Sequence, residues 1–432
     1  MQRIKLSDGI HLNILPSDKF KTNYFSVCFV VPLEKENAHL TALVTKVLAR
    51  GCRKYPSMAA ISKKLEYLYA SDISPVYVKR AESLIVGFCA DFIKDAYLPT
   101  SSEGLLTEVT DLVFDLLFDP FVENGAFSES YTEGEKSDLI NAIGAKINNK
   151  AAYAKERCTA LMFGTHPYGV SETGTVSDVR SATAADVYAR YKELIETAPI
   201  EVFFNGEADI DLLTNLVRTR LPQSTTRLST FPDRTFLESE PDELNEVSEE
   251  MPVAQGKLVM GFRMGGIEVG HPDAAAFSVF NEIFGGSPNS KLFMNVREAM
   301  SLCYYCRSMP DMYMSAMFIS CGIETENRAK AQEAILAQLD AMKHGEFSEE
   351  DIADAKRSLA NSYRELEDSA ASLCLWYTSR RICGNASTPT EVMRAIQAVR
   401  AEDIKRVAKK VVLDSIYFIK GTGNTSGEEE QA

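Results

Sequence analysis

The sequence predicts an α+β fold: two copies of one module, each a mostly antiparallel sheet with helices packed on one face, closing together as a clamshell. Three observations carry this expectation. The run Ser26 to Glu34 (SVCFVVPLE) recurs as Leu258 to Gly266 (LVMGFRMGG), and Leu84 to Phe92 (LIVGFCADF) recurs as Ala316 to Glu324 (AMFISCGIE); 258 less 26 and 316 less 84 are both 232. Within each copy strand-like runs precede helical ones, the order of an α+β module. A polar, acidic stretch separates the copies, so the repeat is a duplication with a period far too long for a solenoid.

The N-terminal module, 1–222, opens with the strand at Ser26. A helix follows from Ala38 to Arg50, where Leu40, Leu43, Val44, Val47 and Leu48 recur at three and four and Gly51 gives the stop. A second helix covers Ser57 to Tyr69, then come strands, the FSES segment at Phe127 to Ser130, a helix through Glu135 and a closing strand from Glu201. Residues 223–255 read as a surface linker. The C-terminal module, 256–420, repeats the plan: a strand at Leu258, then a helix from Pro272 to Phe284 with Ala276, Phe277, Phe280 and Ile283 on one face and Gly285-Gly286 at its end. A helix from Ser290 to Ala299, the strand at Ala316, FSEE at Phe347 to Glu350, a helix from Ala355 and a strand from Ser415 complete it. The tail 421–432 (GTGNTSGEEEQA) is expected to be disordered.

At 432 residues each module is long enough to bury its own core. A net charge of -15 argues against nucleic acid and against anionic membrane surfaces. No run approaches the roughly 20 apolar residues of a membrane span, and the start MQRIKLSDGI has no apolar signal core, so a cytoplasmic location is expected. The nine cysteines are scattered and read as reduced thiols. Cys303 and Cys306 form a lone C-x-x-C; in a regular strand these positions face opposite ways, which favours buried apolar thiols over a metal site. No two of the five histidines stand three or four apart. His39 and His271, at equivalent helix starts, read as capping or packing residues, and His166 as part of a turn.

The segment SKLFMNVREAMSLCYY at Ser290 to Tyr305, with ARGCRKYPS at Ala49 to Ser57, FGTHPYG at Phe163 to Gly169 and the duplication, resembles the inverted zinc-motif peptidase superfamily. Pitrilysin, insulysin and the mitochondrial processing peptidases belong to it. The resemblance covers nearly the whole chain, and its flavour is that of a small bacterial non-catalytic subunit in the branch associated with modification of elongation factor P.

Active members carry H-x-x-E-H on the first helix, with two His on one face to bind Zn²⁺ and the Glu as general base. Counting from Gly51, that motif falls on ALVTK, residues 42 to 46. Ala42 and Lys46 stand for the histidines and Thr45 for the Glu, and the third ligand position, seven residues after Glu135, is Ala142. What the resemblance does find are Arg297 and Tyr304, which in the family bind substrate carbonyls and the tetrahedral intermediate; Tyr305 is the adjacent alternative.

The resemblance therefore implies no cofactor in this chain and a heterodimer with an H-x-x-E-H paralogue that carries the zinc. Arg297 and Tyr304 would serve in trans on an extended peptide, expected to bind as an added strand in the partner. A homodimer of the isolated chain is compatible with this. The main alternative is a scaffold or peptide-binding protein with no part in cleavage; a lone enzyme with unorthodox ligands is a third reading.

Overall fold

In the computed structural model, residues 1–99, 104–235 and 240–422 are described. The expected tail lies, apart from residues 421 and 422, outside them. Two compact units form, and neither is a contiguous block. One contains Met1–Gly144, Val170–Arg234 and Ala370–Ile382; the other contains Ala145–Gly169, Thr235–Ser369 and Cys383–Ala432. The boundaries 1–222 and 256–420 expected from sequence thus cut across the packing. Each copy surrenders one helical segment to the unit built around the other copy's sheet, which no local sequence signal announces. Among the described residues no helix is long and apolar enough to cross a membrane.

The first unit holds a six-stranded sheet. Its strands are β1 (Gln2–Ser7), β2 (Ile10–Pro16), β3 (Thr22–Pro32), β4 (Asp72–Arg80), β5 (Ser83–Ile93) and, after the small β6 (Val122–Glu123) and β7 (Ala126–Phe127) ribbon, β8 (Ile200–Gly206). The order is β1-β2-β8-β3-β5-β4, antiparallel except where β2 meets β8. One face packs on helices including Ala38–Leu48, Leu105–Phe118 and Ala184–Thr197, through a core with Phe25, Phe29, Leu43, Val113, Phe114 and Phe204. The other face is covered by the helix Ala370–Ile382, where Ile382 joins Cys28, Val30 and Ile85, and Tyr377 stacks on Phe203 at 6.3 Å. Cover on both faces explains why β3 is buried without interruption from Asn23 to Val31 rather than alternating.

The second unit holds β9 (Asn245–Met251), β10 (Gly256–Arg263), β11 (Cys303–Asp311), β12 (Ala316–Ile323) and β13 (Val412–Gly421) in the order β11-β12-β10-β13-β9. This is the order of β4-β5-β3-β8-β2, including the single parallel pair, here β13 with β9. The ladders confirm the duplication: Ser26 faces Cys89 in the first unit and Leu258 faces Cys321 in the second, each offset by 232. The helix Lys150–Phe163 lies against β10 and β13, and Gly261 leaves it room, since a Cβ there would stand 3.1 Å from Met162 Sδ. β9 corrects the expected linker 223–255. NEVSEEM is an exposed edge strand paired in parallel with β13, where the Tyr417 hydroxyl donates to Glu249 and Lys420 pairs with Glu250, and its glutamates discourage further pairing.

The two segments after β10 are irregular where the first copy is regular. The helix Ala274–Asn281 continues as a π-helical turn over Glu282–Gly286, and Leu292–Ala299 is also π-helical, whereas its counterpart Met58–Tyr67 is an ordinary α-helix.

Candidate functional site

Ala42 and Thr45 are buried on the inner face of Ala38–Leu48. The Thr45 hydroxyl donates to the Thr41 carbonyl at 3.2 Å, a bond within its own helix. Beside it lies an apolar cavity of about 10 Å³ bordered by Phe29, Leu48, Leu117 and Leu194, at the lower limit for one water. Lys46 points its ammonium at Glu135, with Nζ 3.6 Å from Oε2, and Arg50 Nε donates to the other oxygen of the same carboxylate. Arg50 also reaches Asp138 at 3.5 Å. Ala142 follows Glu135 by seven residues on Glu129–Ala145, about two turns on along one face, and is exposed. The residues present do not fit a zinc ion. Three of the four positions offer no ligand atom beyond one hydroxyl already used, the fourth is a cation, and the one nearby buried carboxylate is held by two cations. The chain is not a zinc peptidase on its own.

Arg297 lies in the π-helical segment Leu292–Ala299, about one-third exposed, with Nη1 3.2 Å from Glu298 and its guanidinium 4.4 Å from the Phe293 ring. Tyr304 is 52 % exposed, and its hydroxyl donates to Glu324 Oε1 at 2.5 Å. That hydrogen bond and the carboxylate's charge raise the phenol above its ordinary range, so it stays a donor at neutral pH. Its exposure has a backbone cause. In the first unit Asp72 faces Asp91; 232 residues later Tyr304 should face Ile323, but Cys303 takes that place and Tyr305 faces Gly322. Tyr304 is the extra residue of a β-bulge that the first copy lacks, and it is turned out of the ladder. Tyr305 keeps its register, its ring lying so close over Gly322 that a Cβ there would meet it at 2.5 Å.

The same bulge changes the reading of the C-x-x-C. By cancelling one step of alternation it turns Cys303 to the face of Cys306, which stands opposite Cys321. The three sulfurs lie within 4.8 Å of one another. The other two thiols hydrogen-bond to Cys303 and hold it below the ordinary thiol range, helped by the Arg297 charge. Sequence reasoning missed Cys321; the ladder offset that aligns it with Cys89 was the available signal. The His166 and His271 Nδ1 atoms accept from the backbone N–H of Tyr168 and Asp273, local roles of the expected kind, and burial lowers the pKa of His39.

A family profile described as "Peptidase M16 inactive domain" matches residues 181–359. The "Probable inactive metalloprotease YmfF" of Bacillus subtilis is 31% identical over 419 residues, 97% of each chain. Among solved structures, a conserved protein from Enterococcus faecalis superposes with a TM-score of 0.91 at 26% identity, covering 98% of this chain and 99% of that one. A peptidase M16 inactive domain from Pseudomonas fluorescens gives 0.77 at 17%, covering 98% of each, which speaks to the fold alone. With a relative named as a probable inactive metalloprotease matched over nearly its full length and an inactive-domain profile over residues 181–359, the chain belongs to the M16 peptidase family, the inverted zinc-motif superfamily, as a catalytically inactive homologue.

Proposed function

We propose that this protein is the non-catalytic subunit of a heterodimeric zinc peptidase, supplying Arg297 and Tyr304 to a peptide held in the active site of an H-x-x-E-H paralogue. The observation that carries this reading is the departure of the second copy from the first at these two residues. Arg297 sits on a π-helix where the first copy has an α-helix, and Tyr304 on a bulge where the first copy has a regular ladder. Both devices project polar donors that a sheet edge and a helix do not need for stability. A guanidinium and a phenol are the donors an oxyanion requires; Arg297 pairs with Glu298 beside the Phe293 ring and Tyr304 with Glu324, and both carboxylates lie near the surface where a substrate can displace them. The partner's Glu would deprotonate the zinc-bound water, and this chain would orient the scissile carbonyl.

The test is a peptidase assay on the chain alone, on an H-x-x-E-H paralogue from the same organism, and on the mixture. Cleavage confined to the mixture, falling about 100-fold or more with Arg297→Ala and by about tenfold or more with Tyr304→Phe, supports the role. An active mixture indifferent to both substitutions would favour the alternative, a scaffold or peptide-binding protein, for which the local pairing of both side chains with Glu298 and Glu324 is the supporting observation.

A further inference from the structure

We propose that Cys303, Cys306 and Cys321 form a trithiolate site for one thiophilic d¹⁰ cation, zinc(II) or copper(I). Among the described residues these are the only three potential ligands of their kinds brought so close together, with all sulfurs within 4.8 Å of one another. Three sulfurs bound at about 2.3 Å to one ion stand roughly 3.8–4.0 Å apart, so small side-chain rotations close the site without moving the backbone. The donor set is soft and uniform, which selects against magnesium and calcium and for copper(I) or zinc(II).

The competing explanation is that these are three ordinary buried thiols, since free cysteine packs as a small apolar group. Two features count against it. Cys306 and Cys321 are buried and directly opposed on neighbouring strands, but Cys303 would face the other way in a regular strand; only the Tyr304 bulge brings it to them. Core packing does not call for a bulge, because the first copy fills the equivalent region with a regular ladder. The residues 232 earlier are Ser71, Ser74 and Cys89, and the ladder place of Cys303 is taken by Asp72, so the first copy offers one thiol where the second copy offers three. Cys303 sits at the start of β11, the last strand of the sheet, half-buried as a residue while all three thiols are buried together. The site is unrelated to the family's zinc position, which falls on the helix Ala38–Leu48, and it stands whether or not the chain assists a peptidase.

The experiment uses the full chain, purified with a reductant and stripped with a chelator, then titrated separately with zinc(II) and copper(I) against a chromophoric competitor. Cobalt(II) serves as a spectroscopic substitute for zinc. The expected result is one ion per chain, protection of three of the nine thiols from a thiol reagent, and sulfur-to-cobalt charge-transfer absorption. Which of the two ions wins the competition identifies the occupant. Cys303→Ser, at the half-buried position and therefore least disturbing to the fold, is expected to weaken binding more than about 100-fold, beyond what a merely supporting residue costs. Cys89→Ser, the first-copy counterpart of Cys321, is expected to leave it unchanged. The proposal is overturned if the reduced chain takes up neither ion, or if uptake survives Cys303→Ser in a chain whose thermal unfolding is unaltered.

Discussion

The Lys46 ammonium stands 3.6 Å from the Glu135 carboxylate, on the helix position that the sequence resemblance assigns to a zinc ligand in active relatives. Arg50 joins the same carboxylate from the next turn and completes the cluster. Glu135 is nearly buried while Lys46 and Arg50 keep contact with water, so the carboxylate is the member that cannot be lost cheaply. Glu135→Gln is expected to cost about 1–3 kcal/mol, because it strands two cations. Lys46→Ala is expected to cost less than about 1 kcal/mol, as for an exposed pair. Urea unfolding of the two variants checks the order, and a larger loss for Lys46→Ala would contradict it.

Gly322 lies under the Tyr305 ring, next to the bulge that turns Tyr304 outward. A Cβ at that glycine would stand 2.5 Å from the ring, and the half-buried ring cannot swing freely aside. Gly322→Ala is therefore expected to destabilise the chain by about 1–3 kcal/mol through overpacking. Tyr305→Leu combined with Gly322→Ala should fall short of the sum of the single effects, with a coupling of roughly 0.5–3 kcal/mol in a double-mutant cycle. Strict additivity would mean that the ring does not brace the bulge.

Much of the fold was legible because its signals are local and repeated. Apolar runs such as SVCFVV marked the buried strands, the three-and-four spacing of Leu40, Leu43, Val44 and Val47 marked the first helix, and the 232-residue offset survives in the ladders. The absence of any H-x-x-E-H run was equally plain, since a missing histidine is visible in the sequence itself. What escaped notice depends on backbone detail or on tertiary context. β9 shows no apolar face, so it passed for linker. The bulge at Tyr304 has no composition of its own, and without it the parity of Cys303 and Cys306 came out reversed. The helices Lys150–Phe163 and Ala370–Ile382 look like any amphipathic segments, and nothing in them names the sheet they cover.

Acid should weaken the first unit through Glu201. Its buried carboxylate on β8 is pushed up by burial, but hydrogen bonds from His11, Arg3 and Asn13 outweigh that and hold it below its ordinary value of 4.5. Arg3 grips both oxygens, at 2.6 and 2.7 Å, and Asn13 donates at 2.7 Å. A folded-state value below the unfolded one means the stabilisation is complete above about pH 4.5 and is lost as the pH falls through the lower folded value. The melting temperature of the natural chain should drop with pH over that acid window. Glu201→Gln should be less stable at neutral pH and show a shallower decline; equal slopes would exclude this carboxylate as the cause.

The exchanged helices make a sharper prediction about how the chain can be divided. A fragment of residues 1–222 retains all six main strands of the first sheet, yet it lacks Ala370–Ile382, so Cys28, Val30, Ile85 and Phe203 lose the cover that Ile382 and Tyr377 provide. It also keeps Lys150–Phe163, whose buried Ala154, Cys158 and Met162 belong against β10 and β13. The fragment thus exposes one sheet face and one helix face that are both dry in the full chain, and apolar surface of that kind drives association or loose packing. It is expected to bind a hydrophobic dye and to unfold without a cooperative transition. Appending residues 370–382 through a flexible linker should reduce the dye signal by restoring the missing cover. A monomeric 1–222 that melts cooperatively and binds no dye would show that the contiguous module is self-sufficient after all.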